Sequence, residues 1–307
     1  MTTNDALSLG YSDRHAPFRG RRWLITAGVA FVVLVLAYIL AVLTPAGQAL
    51  ENAALRGADQ VNGDELSKAN RSLNDITVWS LAAAVAIVAF VALVRRRVDL
   101  ALAGVAVIVL GQVITQSLKR FVLPRPTLVE TTGDYMHNSF PSGHTTIAMT
   151  VLFAAIIVVP YRWRGLVLLF ALGWALSIGA FTVTAKWHRF SDTLGADAVA
   201  LMCACVATWW LGRRGAITSY AGPLHRGRVI LAAVLAATSA GLLVLGAIIV
   251  VIPGLRGVDH SIPNETHDYT AYLGVHSLAA GFSALAALVF WGLWHRLDAT
   301  RCDRAGR

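Results

Sequence analysis

The sequence predicts an all-α polytopic membrane bundle of about eight transmembrane helices, and three observations predict it. The chain's 307 residues are 56% hydrophobic and only 14% charged, with mean hydropathy +0.62, which leaves too little polar surface for a soluble domain. Apolar runs of roughly 17–25 residues, the length that a hydrocarbon core of about 30 Å demands of a helix, recur from one end to the other. Basic residues crowd every second connecting segment, as they do in multi-pass proteins with one cytoplasmic face.

Taken in order, the spans are 23–43, 76–94, 98–118, 144–160, 165–184, 192–211, 229–252 and 271–295. Some twenty polar residues precede the first, with no small-residue cleavage site behind it, so it reads as an uncleaved anchor. A polar outer segment, Thr44 to Asp75, separates it from the second span and reads as an interfacial helix of unassigned role. Arg95, Arg96 and Arg97 turn the chain back into the third span, which leaves through a proline-rich exit at Pro124 and Pro126. Arg162 and Arg164 join the fourth span to the fifth; Arg213, Arg214, Arg226 and Arg228 lie between the sixth and seventh.

With the N-terminus in the cytoplasm, that face receives 17 of the 26 Lys and Arg, Arg296 and the tail arginines included. Only five carboxylates accompany them: Asp5, Asp13, Asp99, Asp298 and Asp303. The asymmetry places both termini inside. The net charge of +9 then reflects topology and contact with anionic lipid heads, and a nucleic-acid partner is not implied. Arginine outnumbers lysine 23 to 3, a bias of GC-rich bacterial genomes that points to a bacterial plasma membrane. Cys203 and Cys205 fall within a span and Cys302 in the tail, so no disulfide or metal framework is visible.

Five of the nine basic residues on the outer side break the trend. They are Lys119, Arg120 and Arg125, then Lys186 and Arg189. The first group belongs to "LKRFVLPRPT", Leu118 to Thr127. It can be a snorkelling basic helix end or a phosphate clamp, with Lys119 as a point charge and Arg125 as a planar fork. Between the two groups stands "NSFPSGHTTIAM", Asn138 to Met149, opening the fourth span. Ser142 is a good N-cap and Gly143 admits a close approach to the backbone. Unpaired N–H groups and the helix dipole there attract anions, and His144 in the first turn suits proton transfer. A capped helix with a stray histidine is the plain alternative.

The second group belongs to "AKWHRFSDTLGAD", Ala185 to Asp197. His188 and Asp192, four apart, share one helical face. The carboxylate can fix the imidazole tautomer and leave the other ring nitrogen to attack; an interfacial His–Asp bond closing a helix end is the alternative. All three stretches emerge on one membrane face. Together, two histidines, an aspartate, cations and a helix N-terminus spell a metal-free phosphoryl-transfer site.

These residues resemble the type 2 phosphatidic acid phosphatase family, membrane lipid phosphatases related to vanadium haloperoxidases. The family's signatures are K-x-x-x-x-x-x-R-P, P-S-G-H and S-R-x-x-x-x-x-H-x-x-x-D. Pro141-Ser142-Gly143-His144 matches the second in full, and His188 with Asp192 matches the end of the third. The likeness covers roughly 76–212 and implies a six-helix core that takes in the first span. The implied organisation is a tail at 1–22, a phosphatase-like core at 23–212, and an extension with two more spans at 213–307. Two departures stand out. Five residues separate Lys119 from Arg125 where the family has six, and Thr182 with Phe181 before it replaces the Ser-Arg pair. Lys186 or Arg189 can substitute in part for the missing cation, though lysine does not reproduce a bidentate fork.

By resemblance His188 attacks phosphorus, Asp192 orients it, and His144 protonates the leaving lipid oxygen. Lys119, Arg125, Ser142 and Gly143 stabilise the phosphoryl oxygens, with no cofactor. The implied substrate is a membrane lipid phosphate facing out, with a polyprenyl or other cell-envelope lipid favoured. A head-group phosphotransferase using the same site, and a non-catalytic lipid-phosphate binder or transporter, are the alternatives. The sequence leaves the oligomeric state open. Glu130, Asp134 and His137 either shape head-group choice or are solvated loop residues. The outer loop with Asp259, His260, Glu265, His267 and Asp268 fits no standard metal pattern. Asp197 and His276 fall inside spans, where ionisable groups are costly; Asp197 either supports the site or bonds a neighbouring helix.

Overall fold

A computed structural model describes residues 20–129, 138–220 and 226–299. Among them are ten α-helices: α1 Arg21–Ala37, α2 Pro45–Gly57, α3 Gly63–Asn74, α4 Val78–Val94, α5 Val98–Ser117, α6 Gly143–Val158, α7 Arg164–Thr184, α8 Phe190–Arg213, α9 Arg226–Leu255 and α10 Glu265–Trp294. π-Helical turns prolong α1 through Val42 and α5 through Val122. A two-residue antiparallel ladder joins β1, Thr218–Ser219, to β2, Leu297–Asp298, beyond the far end of α8.

Local chemistry sets the helix starts. The Thr44 hydroxyl accepts from Gly47 N at 3.0 Å with Pro45 as the first helical residue, so α2 begins there. Asn62 caps α3 through Asp64 N and Glu65 N. Thr77 and Ser80 cap each other reciprocally at α4, and Asn264 caps α10 through His267 N at 3.0 Å.

The all-α polytopic bundle expected from composition is what forms. Among the described residues six helices, with their flanking turns, are long and apolar enough to cross a membrane: α1, α5, α7, α8, α9 and α10. The pair α3–α4, bent by 63°, makes a seventh if counted as one broken span. All eight predicted apolar segments are helical, but α4 has 17 residues and α6 only 16. The short length of α6 has a physical reason. It sits at the centre, sheathed by α5, α7 and α8, with Met149, Leu152, Phe153 and Ile156 fully buried. A helix that touches protein on all sides need not match the bilayer's thickness.

Around this centre, α1 runs along α8 and α4 lies on α5. Helix α10 packs against α7, α8 and α2, and carries α9 on its outer side. Only Ser239 and Gly246 of α9 are buried, so that helix faces lipid along nearly its whole length. At Gly246 a Cβ would stand 2.8 Å from the Gly274 carbonyl oxygen; only glycine allows the two backbones so close.

The outer segment Thr44–Asp75 departs from the expected interfacial helix. It folds into two helices, and α2 is largely buried. Ala53, Ala54 and Ala58 pack on Tyr272 and Val275 of α10. Arg56 donates from Nε and Nη2 to the two Asp268 carboxylate oxygens, each at 2.8 Å. Small side chains on one face of α2 let it lie close to α10, and polar residues remain for another face.

Candidate active site

The three stretches singled out in the sequence converge where α6 and α8 begin and α5 ends. The Ser142 backbone N–H donates to the Asp192 carbonyl at 2.9 Å, which ties the start of α6 to the first turn of α8. The Ser142 hydroxyl accepts from Thr145 N at 3.3 Å and so caps α6 as expected. Gly143 faces α5: its carbonyl accepts from Gln112 Nε2 at 3.2 Å, and a Cβ there would meet Gln116 Nε2 at 3.2 Å.

His144 and His188 face each other with ring centroids 5.8 Å apart and planes inclined at 59°. Trp187 stands edge-on to His144 at 5.2 Å, and its indole N–H donates to Asn70 of α3. His188 Nδ1 lies 3.3 Å from Asp192 Oδ2, and the same oxygen accepts from Arg189 N at 2.8 Å. The i, i+4 spacing therefore does what helical geometry allows. Asp192 engages Nδ1, which leaves Nε2 of His188 outside that bond. Nδ1 of His144 is buried and meets no hydrogen-bond partner among the described residues.

The cations divide into two kinds. Lys119, in the π-helical turn after α5, lies within the electrostatic reach of both Asp192 and His144. Asn138 donates to the Lys119 carbonyl at 2.9 Å and to the Leu123 carbonyl at 2.5 Å, which fastens the first stretch to the entry of the second. The Arg125 side chain is buried, with Nη2 3.3 Å from Glu51 Oε2. Arg189 Nη1 donates to Ser139 at 3.1 Å. Lys186, by contrast, is ion-paired with Asp59, whose side chain is 62% exposed.

Thr182 occupies the position of the family arginine without replacing it. Its side chain is fully buried and its hydroxyl donates to Gly179 O at 2.7 Å, within its own helix. Its carbonyl accepts from Trp187 N at 3.0 Å and His188 N at 3.1 Å. Thr182 thus shapes the turn that presents His188.

Four residues of the site carried no sequence signal as such. Gln48 of α2 donates to Pro126 O at 2.7 Å and accepts from Leu128 N at 3.1 Å. Glu51, one turn along α2, reaches Arg125 and also accepts from Ser191 N at 2.9 Å through Oε1. Tyr38 donates to Pro124 O at 2.5 Å. Asn138 makes the two bonds already described. Burial pushes the Glu51 carboxyl above its ordinary range, and the Arg125 guanidinium beside it pulls the other way. A Thr-Pro start followed by polar residues at i and i+3 is the signal that α2 has a polar inner face; nothing in it names the partner.

Other expectations fall outside the site. Asp197 accepts from Ser283 of α10 at 2.7 Å, so it bonds a neighbouring helix. The His276 ring lies 5.5 Å from that of Tyr272, tilted at 50°, and Asp268 is held by Arg56. Glu130, Asp134 and His137 lie outside the described residues. Among the described residues no group of three or more His, Cys, Asp or Glu side chains is placed to hold a metal ion.

Residues 99–216 match the family model of the PAP2 superfamily. No curated protein and no solved structure matches the chain. The matched segment runs from the start of α5 past the end of α8 and contains all three stretches. That segment is therefore similar to the PAP2 superfamily, the type 2 phosphatidic acid phosphatase-related proteins, whose members act as phosphatases on phosphate esters, often those of lipids.

Proposed function

We propose that the protein is an integral membrane lipid phosphatase. It hydrolyses a phosphomonoester or diphosphate of a membrane lipid at the extracytoplasmic face, by way of a phosphohistidine. The facing pair His144–His188, with Asp192 on Nδ1 of His188, is the observation that carries this reading. In the first step Nε2 of His188 attacks phosphorus in line. A P–N bond forms, the P–O bond to the lipid breaks, and protonated His144 gives its proton to the departing oxygen. Asp192 stabilises the positive charge that grows on the His188 ring. In the second step water, deprotonated by His144, attacks phosphorus. The P–N bond breaks, inorganic phosphate leaves, and both imidazoles return to their starting states. Lys119, Arg125, the Ser142 hydroxyl and the Gly143 amide surround the phosphoryl oxygens, where preorganised positive charge stabilises the transition state.

A lipid substrate is supported by a cavity of about 460 Å³ between α3, α4, α6 and α7. Its inner wall includes Ile147, one helical turn beyond His144, and Phe181, next to Thr182. Ile76, Ile87 and Trp174 make it apolar, while Ser72, Asp75 and Ser80 line it at the end where α3 meets α4. Such a pocket suits a hydrocarbon chain whose phosphate lies at the histidines. The extracytoplasmic side follows from the basic residues that crowd the opposite connections. A polyprenyl or other cell-envelope lipid phosphate is the favoured substrate, and the core at 23–212 is the catalytic unit.

The test is a panel of polyprenyl diphosphates, phosphatidic acid and phosphatidylglycerol phosphate presented to the detergent-solubilised protein. Release of inorganic phosphate from one of them, lost in His188→Ala, is expected. Acid-labile labelling of the wild-type chain by substrate labelled in its phosphoryl group would report the P–N bond. Label appearing on an alcohol acceptor instead of in free phosphate would make the protein a phosphotransferase. Binding of lipid phosphates without turnover would leave a carrier or binder.

A further inference from the structure

Helix α2 belongs to no part of the matched segment, which begins at residue 99, yet it reaches the site at three points. Gln48 holds the loop that carries Arg125 from both sides, through Pro126 O at 2.7 Å and Leu128 N at 3.1 Å. Gln48 also donates to Val42 O at 2.7 Å, which anchors the clamp to the end of the first span. Glu51 then bridges two elements that the chain brings together from far apart. Its Oε2 stands 3.3 Å from Arg125 Nη2, and its Oε1 accepts at 2.9 Å from Ser191 N, in the first turn of the helix that bears Asp192. Both partners of the ion pair are dry, with side-chain exposures of 6% and 3%.

A buried guanidinium needs a partner to stay where it is. Glu51 engages only one of Arg125's terminal nitrogens; Nη1 is buried and meets no partner among the described residues. A planar fork fixed at one tine by a carboxylate presents the other in a set direction. We propose that Glu51 is a positioning residue for phosphate binding. It holds Arg125 by Nη2, keeps Nη1 for a phosphoryl oxygen, and locks the arginine's loop to the helix of Asp192. The role given to Arg125 rests on the phosphatase reading; the brace itself is geometry. With Thr182 in place of the family arginine, more of the phosphate's positive surroundings falls to Arg125, whose loop is one residue shorter than the family's. An outer helix that fixes this one fork supplies the rigidity.

The experiment is titration of the detergent-solubilised full chain with inorganic phosphate, followed calorimetrically, so that no turnover is needed. Glu51→Gln keeps the shape but sets an amide donor against Arg125, and it should weaken phosphate about tenfold, the range of a charge-assisted hydrogen bond. Arg125→Ala should weaken it at least as much. The double variant should bind like Arg125→Ala alone, because a brace has nothing left to hold. Glu51→Asp retains the charge and should stay within about threefold of wild type.

Additive losses in the double variant would make Glu51 a general stabiliser and overturn the proposal. Tighter phosphate binding by Glu51→Gln would show the carboxylate competing with phosphate for Arg125, which also overturns it, as does a wild-type protein that binds no phosphate. The predicted pattern with no lipid phosphate hydrolysed would sink the hydrolase reading and leave the brace standing. Lipid hydrolysis with Glu51→Gln unchanged would do the reverse.

Discussion

The two ends of the bundle both bury arginines, and they use them differently. At the end remote from the histidines, guanidinium groups close the protein's own carbonyls. Arg97 pairs with Asp99 through Nη2 at 2.6 Å and donates to Ala216 O and Ala299 O. Arg164 donates to Leu297 O, and its guanidinium lies over the Trp294 and Tyr161 rings at 5.2 and 5.7 Å. Arg228 reaches Tyr161 O and stacks over that ring at 3.9 Å. Arg97 and Arg164 rivet the segment after α10 to the bundle, with aromatic faces standing in where hydrogen-bond partners run out. At the other end, Lys119 and Arg189 lie within electrostatic reach of Asp192, beside the facing imidazoles, and Arg125 is paired with Glu51; both Arg125 and His144 keep a buried nitrogen with no partner among the described residues. Positive charge alone does not mark a site. Unfinished donors occur at both ends, since Arg164 Nε and Nη2 and Arg228 Nη1 are also buried without a hydrogen-bond partner among the described residues; what marks the site is that its donors lie beside two facing imidazoles and a carboxylate.

The largest expected effect falls at the end that bears the histidines. His188→Ala should lower phosphate release at least about a thousandfold, the scale of losing a nucleophile, with the thermal midpoint nearly unchanged. Activity and midpoint measured on one preparation check it; a variant retaining a tenth of the activity would end the phosphohistidine mechanism. Arg125→Ala comes next, at about 30- to 100-fold in kcat/KM, as for one charge-assisted donor to a transition-state oxygen. The end remote from the histidines should respond in the opposite currency. Arg164→Ala removes a fully buried cation from its carbonyl and its rings, so the midpoint should fall by several degrees while kcat/KM of the folded fraction stays within about twofold. If Arg164→Ala cost activity as Arg125→Ala does, the contrast between the ends would break.

The sequence made the spans and the three stretches legible because each has a local signature. Apolar length marks a span, and Pro-Ser-Gly-His and His-x-x-x-Asp mark short-range geometry that a helix enforces. The pairing of His188 with Asp192 needs only one turn of α8. What stayed illegible depends on packing between distant elements. Nothing in "QALENAALRG" says that Glu51 meets Arg125, 74 residues away. Asp197 sits one turn below Asp192's neighbourhood, and only the placement of α10 decides that it bonds Ser283. The span count shows the same limit. Hydropathy sees α6 as one more lipid-facing crossing, whereas its 16 residues are wrapped by other helices and answer to protein contacts instead of bilayer thickness.

The smallest effect tests whether every outer cation belongs to the site. Lys186 lies within the third signature region, two residues before His188, and by sequence it is a natural substitute for the arginine missing at 182. Its ion pair with Asp59 differs from that of Arg125 with Glu51 in one respect that decides the energetics. The Arg125 pair is dry on both sides, whereas Asp59 is 62% exposed. Breaking a dry pair strands a charge where water cannot reach it; breaking a wet one lets solvent replace the lost partner, so such pairs contribute about 0–1 kcal/mol. Lys186→Ala should therefore change kcat/KM by less than about threefold. Lys186 also has φ +60°, a left-handed conformation that strains any residue with a Cβ, and Ala leaves that strain in place, so the comparison isolates the charge. A loss as large as that of Arg125→Ala, read in the same assay, would move Lys186 into the phosphate's surroundings and would make the exposed pair with Asp59 a resting arrangement that substrate displaces.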